Sequence, residues 1–106
     1  MKIITRKDLT ESLTLLIPFR EQDREGGWEE SWRPGPQLWT AVFPILERQE
    51  KPHYHLVVGG RLILPYKMAF LWTIESKTKR LYAITEPRFI QQKRFLSMIA
   101  KEETHA

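Results

Sequence analysis

Apolar side chains recur at every second position from Ser12 to Arg20: Leu13, Leu15, Ile17 and Phe19 fall on one face, with Thr14, Leu16 and Arg20 among those opposite. That period belongs to a strand packed on a core, and it points to β structure before any other property is weighed. Pro18 argues for an edge or a bulge near the strand's end, because proline has no N–H to give a ladder. The polar stretch Glu21–Gly27 closes in Gly26-Gly27, which can take the positive φ a hairpin needs, and Trp28, Glu30 and Trp32 alternate on the return. Arg33-Pro34-Gly35-Pro36 interrupts the ladder, and Gln37–Phe43 resumes it with Leu38, Thr40 and Val42 opposite Trp39, Ala41 and Phe43. One bent strand or two short ones fit this pattern.

Further along, Ile45–Pro52 holds good helix formers but is bracketed by Pro44 and Pro52, so a short helix and a loop both remain open. Tyr54–Val58, Arg61–Tyr66 and Met68–Glu75 are rich in strand-favouring residues, with Gly59-Gly60 and Pro65–Lys67 as breaks. Ser76–Lys79 is expected to be a polar turn, Arg80–Thr85 a strand ended by Glu86-Pro87-Arg88, and Phe95–Lys101 a strand after a Gln91–Arg94 turn. Lys101–Ala106 is a polar tail. The expected fold is all-β: a small antiparallel β-barrel of about six strands with one extended loop or short helix, in one domain over residues 1–106. Leu15, Ile17, Trp39, Val42, Ile84 and Phe95 are expected to be buried. The Glu21–Gly27 tip and the Phe43–Gly60 excursion are expected to project, being bounded by Pro or Gly and lacking a core-facing period.

Composition removes several function classes. A chain of 106 residues has no room for a second domain, and its apolar runs, such as Leu13–Pro18, fall short of the roughly 18 residues that span a bilayer. Met1–Asp8 lacks the apolar stretch of a signal peptide. With no cysteine there is neither a disulfide framework nor a thiolate ligand or nucleophile. Charge is uneven: residues 1–53 hold eight basic and nine acidic side chains, residues 54–106 nine and four. The C-terminal half is therefore the candidate surface for a polyanion or an acidic partner. His53-x-His55 would share a strand face but lacks a third ligand, and side-by-side Glu29/Glu30 and Glu102/Glu103 would point to opposite faces. The two Gly-Gly pairs lack a phosphate-loop context, and no serine sits in a nucleophile elbow. No catalytic, cofactor or metal site is expected, which leaves binding or assembly.

Four stretches together make a pattern. Asp23-Arg24-Glu25-Gly26-Gly27-Trp28-Glu29-Glu30-Ser31-Trp32 follows a leucine-led strand, Trp39-Thr40-Ala41-Val42-Phe43-Pro44 comes next, and Leu81-Tyr82-Ala83-Ile84 precedes Lys93-Arg94-Phe95-Leu96-Ser97-Met98-Ile99-Ala100-Lys101-Glu102-Glu103. In this order and spacing they resemble the phage head–tail joining protein family over nearly the whole chain. The insertion that the family usually carries between Pro44 and Val57 is cut here to about a dozen residues. The resemblance implies a small antiparallel barrel without catalytic residues or cofactors. It further implies a homo-oligomeric ring at the virion neck between the portal-bound adaptor and the tail terminator or tail tube. DNA would pass through that ring without sequence-specific binding, in a phage, prophage or gene transfer agent particle put together in the bacterial cytoplasm. In such a ring, contacts are expected from the hairpin residues Asp23, Arg24, Gly26, Gly27, Trp28 and Trp32 and from Glu47, Arg48, Glu50, Lys51, His53, Tyr54 and His55 of the excursion. A second reading is a small basic nucleic-acid-binding barrel using Trp28, Trp32, Arg33, Arg61 and Arg88 on one face, with a toxin-type ribonuclease third.

Overall fold

The computed structural model describes residues 3–45, 52–60 and 68–103. Seven antiparallel strands make one sheet: β1 (Glu11–Gln22), β2 (Trp28–Ile45), β3 (His53–Gly59), β4 (Ala69–Ile74), β5 (Lys77–Ala83), β6 (Arg88–Ile90) and β7 (Phe95–Glu102). Their order is β3-β2-β1-β4-β5-β7-β6, and β7 also pairs with β3, so the strands close on themselves into a ring. The described residues outside the strands include one 3-10 turn, Arg6–Asp8. No helix among them is long and apolar enough to cross a membrane.

Closure creates an inside. Leu13 and Leu15 of β1, Leu38 of β2, Leu56 of β3, Phe70 of β4, Leu81 of β5 and Met98 of β7 all point into it and are buried. Tyr54 meets Trp72 edge-on within this core, with ring centroids 5.4 Å apart, and the Trp72 indole N–H donates to a Glu11 carboxylate oxygen at 3.2 Å. Thr40 is fully buried, its hydroxyl donating to the Leu38 carbonyl at 3.1 Å. A smaller second core lies on the outer side of β2, β3 and β7, where Ile4 covers Ala41, Val57 and Phe95. The amide of Gln91 holds that covering segment by accepting from the Ile4 N–H at 2.6 Å and donating to the Ile4 carbonyl at 2.7 Å.

The prolines sit where a strand has a neighbour on one side. β4 pairs with β1 only over Leu13–Leu16, so Pro18 lies beyond it. β3 pairs with β2 only from Thr40 onward, so Pro34 and Pro36 lie short of it, and Pro44 lies past the start of β1. A missing N–H there deprives no second ladder. Gly35 and Pro36 together face Leu15 between the Thr14–Gln37 and Leu16–Pro34 pairs, a bulge that lets β2 run unbroken through the Pro-Gly-Pro stretch.

Several expectations need correction. There are seven strands where about six were expected, because β6 forms in three residues directly after Pro87. The β4–β5 turn is Glu75-Ser76, with φ of 49° and 68°, so Lys77–Lys79 belong to a strand rather than a turn. This is a two-residue primed hairpin built without glycine, so the usual sequence signal is missing. Ile17 is exposed because the ring wall ends at Leu16, and Trp39 is exposed because its neighbours Leu38 and Thr40 take the inward positions. Ile84, past the end of β5, is exposed as well; Leu15 and Phe95 are buried and Val42 half-buried. The Phe43–Gly60 stretch does not project as a whole, since Phe43–Ile45 pair with His53–His55 in the ladder. The helix-or-loop choice at 45–52 and the strand expected at 61–66 lie largely or wholly outside the described residues.

Gly60 donates its N–H to the Arg94 carbonyl at 2.8 Å, and a Cβ there would stand 2.4 Å from the Lys93 carbonyl oxygen. Gly60→Ala should therefore cost about 1–3 kcal/mol, as forced overpacking does, read as a lower denaturant midpoint with an unchanged slope.

Candidate functional site

Beyond Leu16 the paired halves of β1 and β2 leave the ring wall as a two-stranded arm, Ile17–Gln22 against Trp28–Arg33. At about 3.4 Å per residue those six residues reach ~20 Å. The molecule measures 52 Å along its longest axis against 31 and 25 Å across.

The arm's tip is a turn that its own side chain builds. The Asp23 carboxylate accepts from the Glu25 N–H at 2.9 Å and the Gly27 N–H at 2.7 Å, while the Asp23 N–H donates to the Gly27 carbonyl at 2.9 Å. Gly26 takes a φ of 84°, and a Cβ on Gly27 would approach an Asp23 carboxylate oxygen to 2.8 Å. Asp23, Gly26 and Gly27 thus shape the tip, and Arg24 is exposed on it.

Register sorts the arm into two faces. Ile17 opposite Arg33, Phe19 opposite Ser31 and Glu21 opposite Glu29 make one; Pro18 opposite Trp32, Arg20 opposite Glu30 and Gln22 opposite Trp28 make the other. On the first face the Arg33 guanidinium lies 3.5 Å over the Phe19 ring. On the second, Arg20 and Glu30 form an exposed ion pair at 3.5 Å, and Trp32 meets Tyr82 of β5 with ring centroids 5.9 Å apart. Leu16, Ala69 and Tyr82 form one outward row across β1, β4 and β5. Trp32 and Tyr82 closing over that row explain why Leu16 and Ala69 are buried on the outside of the ring. Trp32 is therefore the pin of the arm, whereas Trp28, 67% exposed near its tip, touches no such wall.

The remaining expected contact residues are elsewhere. Glu47, Arg48, Glu50 and Lys51 lie outside the described residues, as does Arg61. His53, Tyr54 and His55 are ladder residues of β3: Tyr54 points into the core, and His53 and His55 lie on the outer face in register with Lys101 and Ile99. The His55 imidazole is hydrogen-bonded to the Ser97 hydroxyl beside Ile45, Thr85 and Pro87, and burial pushes its pKa below the usual 6.5. The five residues of the nucleic-acid reading do not share a face, since Arg33 lies opposite Trp32 and Trp28 on the arm and Arg88 is on β6. Among the described residues no group of three His, Cys, Asp or Glu is placed to hold a metal.

A groove of about 730 Å³ that sequence reading missed lies between the N-terminal segment and the β6–β7 turn, lined by Ile4, Arg6, Leu9, Gly60, Lys93, Arg94 and Phe95 among others. Its turn residues Gln91, Gln92 and Lys93 all have positive φ, at 48°, 59° and 64°, with no glycine to announce them. The adjacent Lys93-Arg94 pair was the one available signal.

Trp32→Ala should uncover the Leu16–Ala69 row and lower stability by about 2–3 kcal/mol, whereas Trp28→Ala should stay within about 0.5 kcal/mol of the parent, both read from denaturant midpoints. His55 gives a second expectation. As pH falls below 6.5 the unfolded chain binds its proton before the folded chain does. Stability should be full above that value and decline as pH drops from there toward the depressed folded pKa. His55→Gln should flatten this slope in midpoints measured from about pH 7.5 to about pH 5.

No family model matches this chain, and no curated protein matches it. Among solved structures, the solution structure of protein SF1141 from Shigella flexneri 2a is similar at a TM-score of 0.74 and 15% identity, over 91% of this chain and 94% of that one. A chain of the virion of the native gene transfer agent particle is similar at a TM-score of 0.62 and 20% identity, over 92% of this chain and 96% of that one. The chain shares its fold, nearly end to end, with both.

Proposed function

We propose that this chain is a structural protein of a phage-like particle, a subunit of the neck ring between the portal-bound adaptor and the tail terminator or tail tube. The observation that carries this reading is the whole-length likeness to a chain of a gene transfer agent virion. It agrees with the resemblance of Asp23–Trp32, Trp39–Pro44 and Lys93–Glu103 to head–tail joining proteins. In this reading the chain is no enzyme and needs no cofactor. Its work is to present shaped, charged surfaces to neighbours while DNA passes without sequence-specific contact, and a ring in that position would also serve as a stopper on DNA exit. Particle assembly would take place in the bacterial cytoplasm. A closed ring of strands suits the task, because it holds an arm and a groove in fixed relation with few free sheet edges to pair wrongly.

The test is deletion of the gene from a host that makes the particles. Filled heads without tails, restored by the gene in trans, are expected under electron microscopy. Tailed, DNA-delivering particles in normal number would refute the neck assignment. A second expectation concerns the isolated chain, which should sediment as a monomer or weakly associated species at micromolar concentration, since a 106-residue subunit offers limited surface without its scaffold.

A further inference from the structure

The arm tip and the Lys93–Arg94 groove lie at opposite ends of the molecule. The groove is bordered by Leu9 and Gly59, beside the Ser12–Trp39 pair at the start of β1, while the tip begins after Gln22. Ten residues of extended strand separate Ser12 from Gln22, ~34 Å, so an arm does not reach the groove of its own chain.

The two ends are complementary. Residues 20–30 carry five carboxylates against two cations. Glu21 and Glu29 face each other directly across the ladder, a like-charge pair that destabilises an isolated arm, and neither has an ion-pair partner among the described residues. Exposed Trp28 is next to Glu29 in sequence and lies on the other face, opposite Gln22. The groove presents the converse: apolar Ile4, Leu9 and Phe95 bordered by the exposed cations of Arg6, Lys93 and Arg94.

We infer that the acidic arm tip of one copy seats in the basic groove of the next copy of this chain, Trp28 against its apolar lining and Glu21 and Glu29 against Lys93 and Arg94. Because the two surfaces differ, the contact is head to tail, and repeating it generates a ring when the rotation closes. The inference names the subunit contact of the proposed neck ring and rests on that reading. Salt weakens such a contact, and the partly exposed charges set recognition and orientation more than they set affinity.

The test uses two charge-reversed full-length variants, Glu21→Lys/Glu29→Lys and Lys93→Glu/Arg94→Glu, all at exposed positions, with dichroism as the check on folding. In sedimentation across a salt series at the highest soluble concentration, the parent should associate, and each variant alone should associate at least about tenfold less. An equimolar mixture should regain association, since the basic arm of one then meets the acidic groove of the other. As the chain has no cysteine of its own, the variant Glu25→Cys/Lys93→Cys gives a second readout: oxidation should produce ladders beyond dimer, and adding Glu21→Lys/Glu29→Lys in that background should abolish them.

Parent-like association of either variant, failure of the mixture to recover, or absence of both association and ladders would overturn the contact. Retention of a single-stranded oligonucleotide that Lys93→Glu/Arg94→Glu abolishes, with association insensitive to Glu21→Lys/Glu29→Lys, would assign the groove to nucleic acid instead. In particles the two readings separate: deletion that removes tails, followed by full rescue with either variant, sinks the arm contact and leaves the neck assignment standing. Deletion without effect on tails sinks the neck assignment, while the centrifuge still decides the contact.

Discussion

The pairing of β7 with β3 is what turns a sheet into a container. Seven residues, Phe95–Lys101, lie in register with His53–Gly59, and without that ladder the sheet would run open from β3 to β6 with a whole strand edge bare at one end. β7 also holds β5 through Leu81–Ala83 and β6 through Arg88–Ile90. One strand near the C-terminal end therefore completes the wall around the core, closes one edge and gives β6 its only partner among the described strands. β7 joins β3 across about forty residues of chain, a loop-closure entropy that the local β1–β2 and β4–β5 hairpins do not carry.

From closure follow the places where the ladder is allowed to be incomplete. Every described proline within a strand lies where the second neighbour has ended or not yet begun, and the Gly35-Pro36 bulge falls where β2 passes from ring wall to arm. The same boundary decides burial. Leu16 is the last residue of β1 backed by β4, and Ile17, one step on, is already exposed although the alternation that predicts its burial is unbroken. Period two reports which face a side chain takes; it does not report whether a wall stands opposite.

That distinction separates what was legible from what was not. The hairpin at Glu21–Gly27 was legible because Gly26-Gly27 and the flanking alternation are local signals, and the structure adds that Asp23 ties the turn. The Phe95 strand was legible from spacing alone. The Glu75-Ser76 and Gln91–Lys93 turns were not, since five left-handed residues without a glycine carry no composition signal and are sustained by the strands they join. Trp39 was misread because aromatic size suggests burial while register, set here by Leu38 opposite Leu13, decides it. The groove escaped because it joins residue 4 to residue 91 through the Gln91 amide, a contact no linear pattern contains.

An isolated two-stranded ribbon is marginal in water, so the arm persists only through what is fastened to it. At its base Trp32 rests on Tyr82, midway Arg33 covers Phe19, and at the tip Asp23 closes the turn. Between these the arm leaves Trp28 exposed and sets Glu21 against Glu29, two features that lower the stability of a lone molecule. Charge along the ribbon also keeps its edges from pairing with other chains at random. The arm is thus fastened where it meets its own ring and left apolar and acidic where it does not, the arrangement expected of an element whose remaining partner is supplied by assembly.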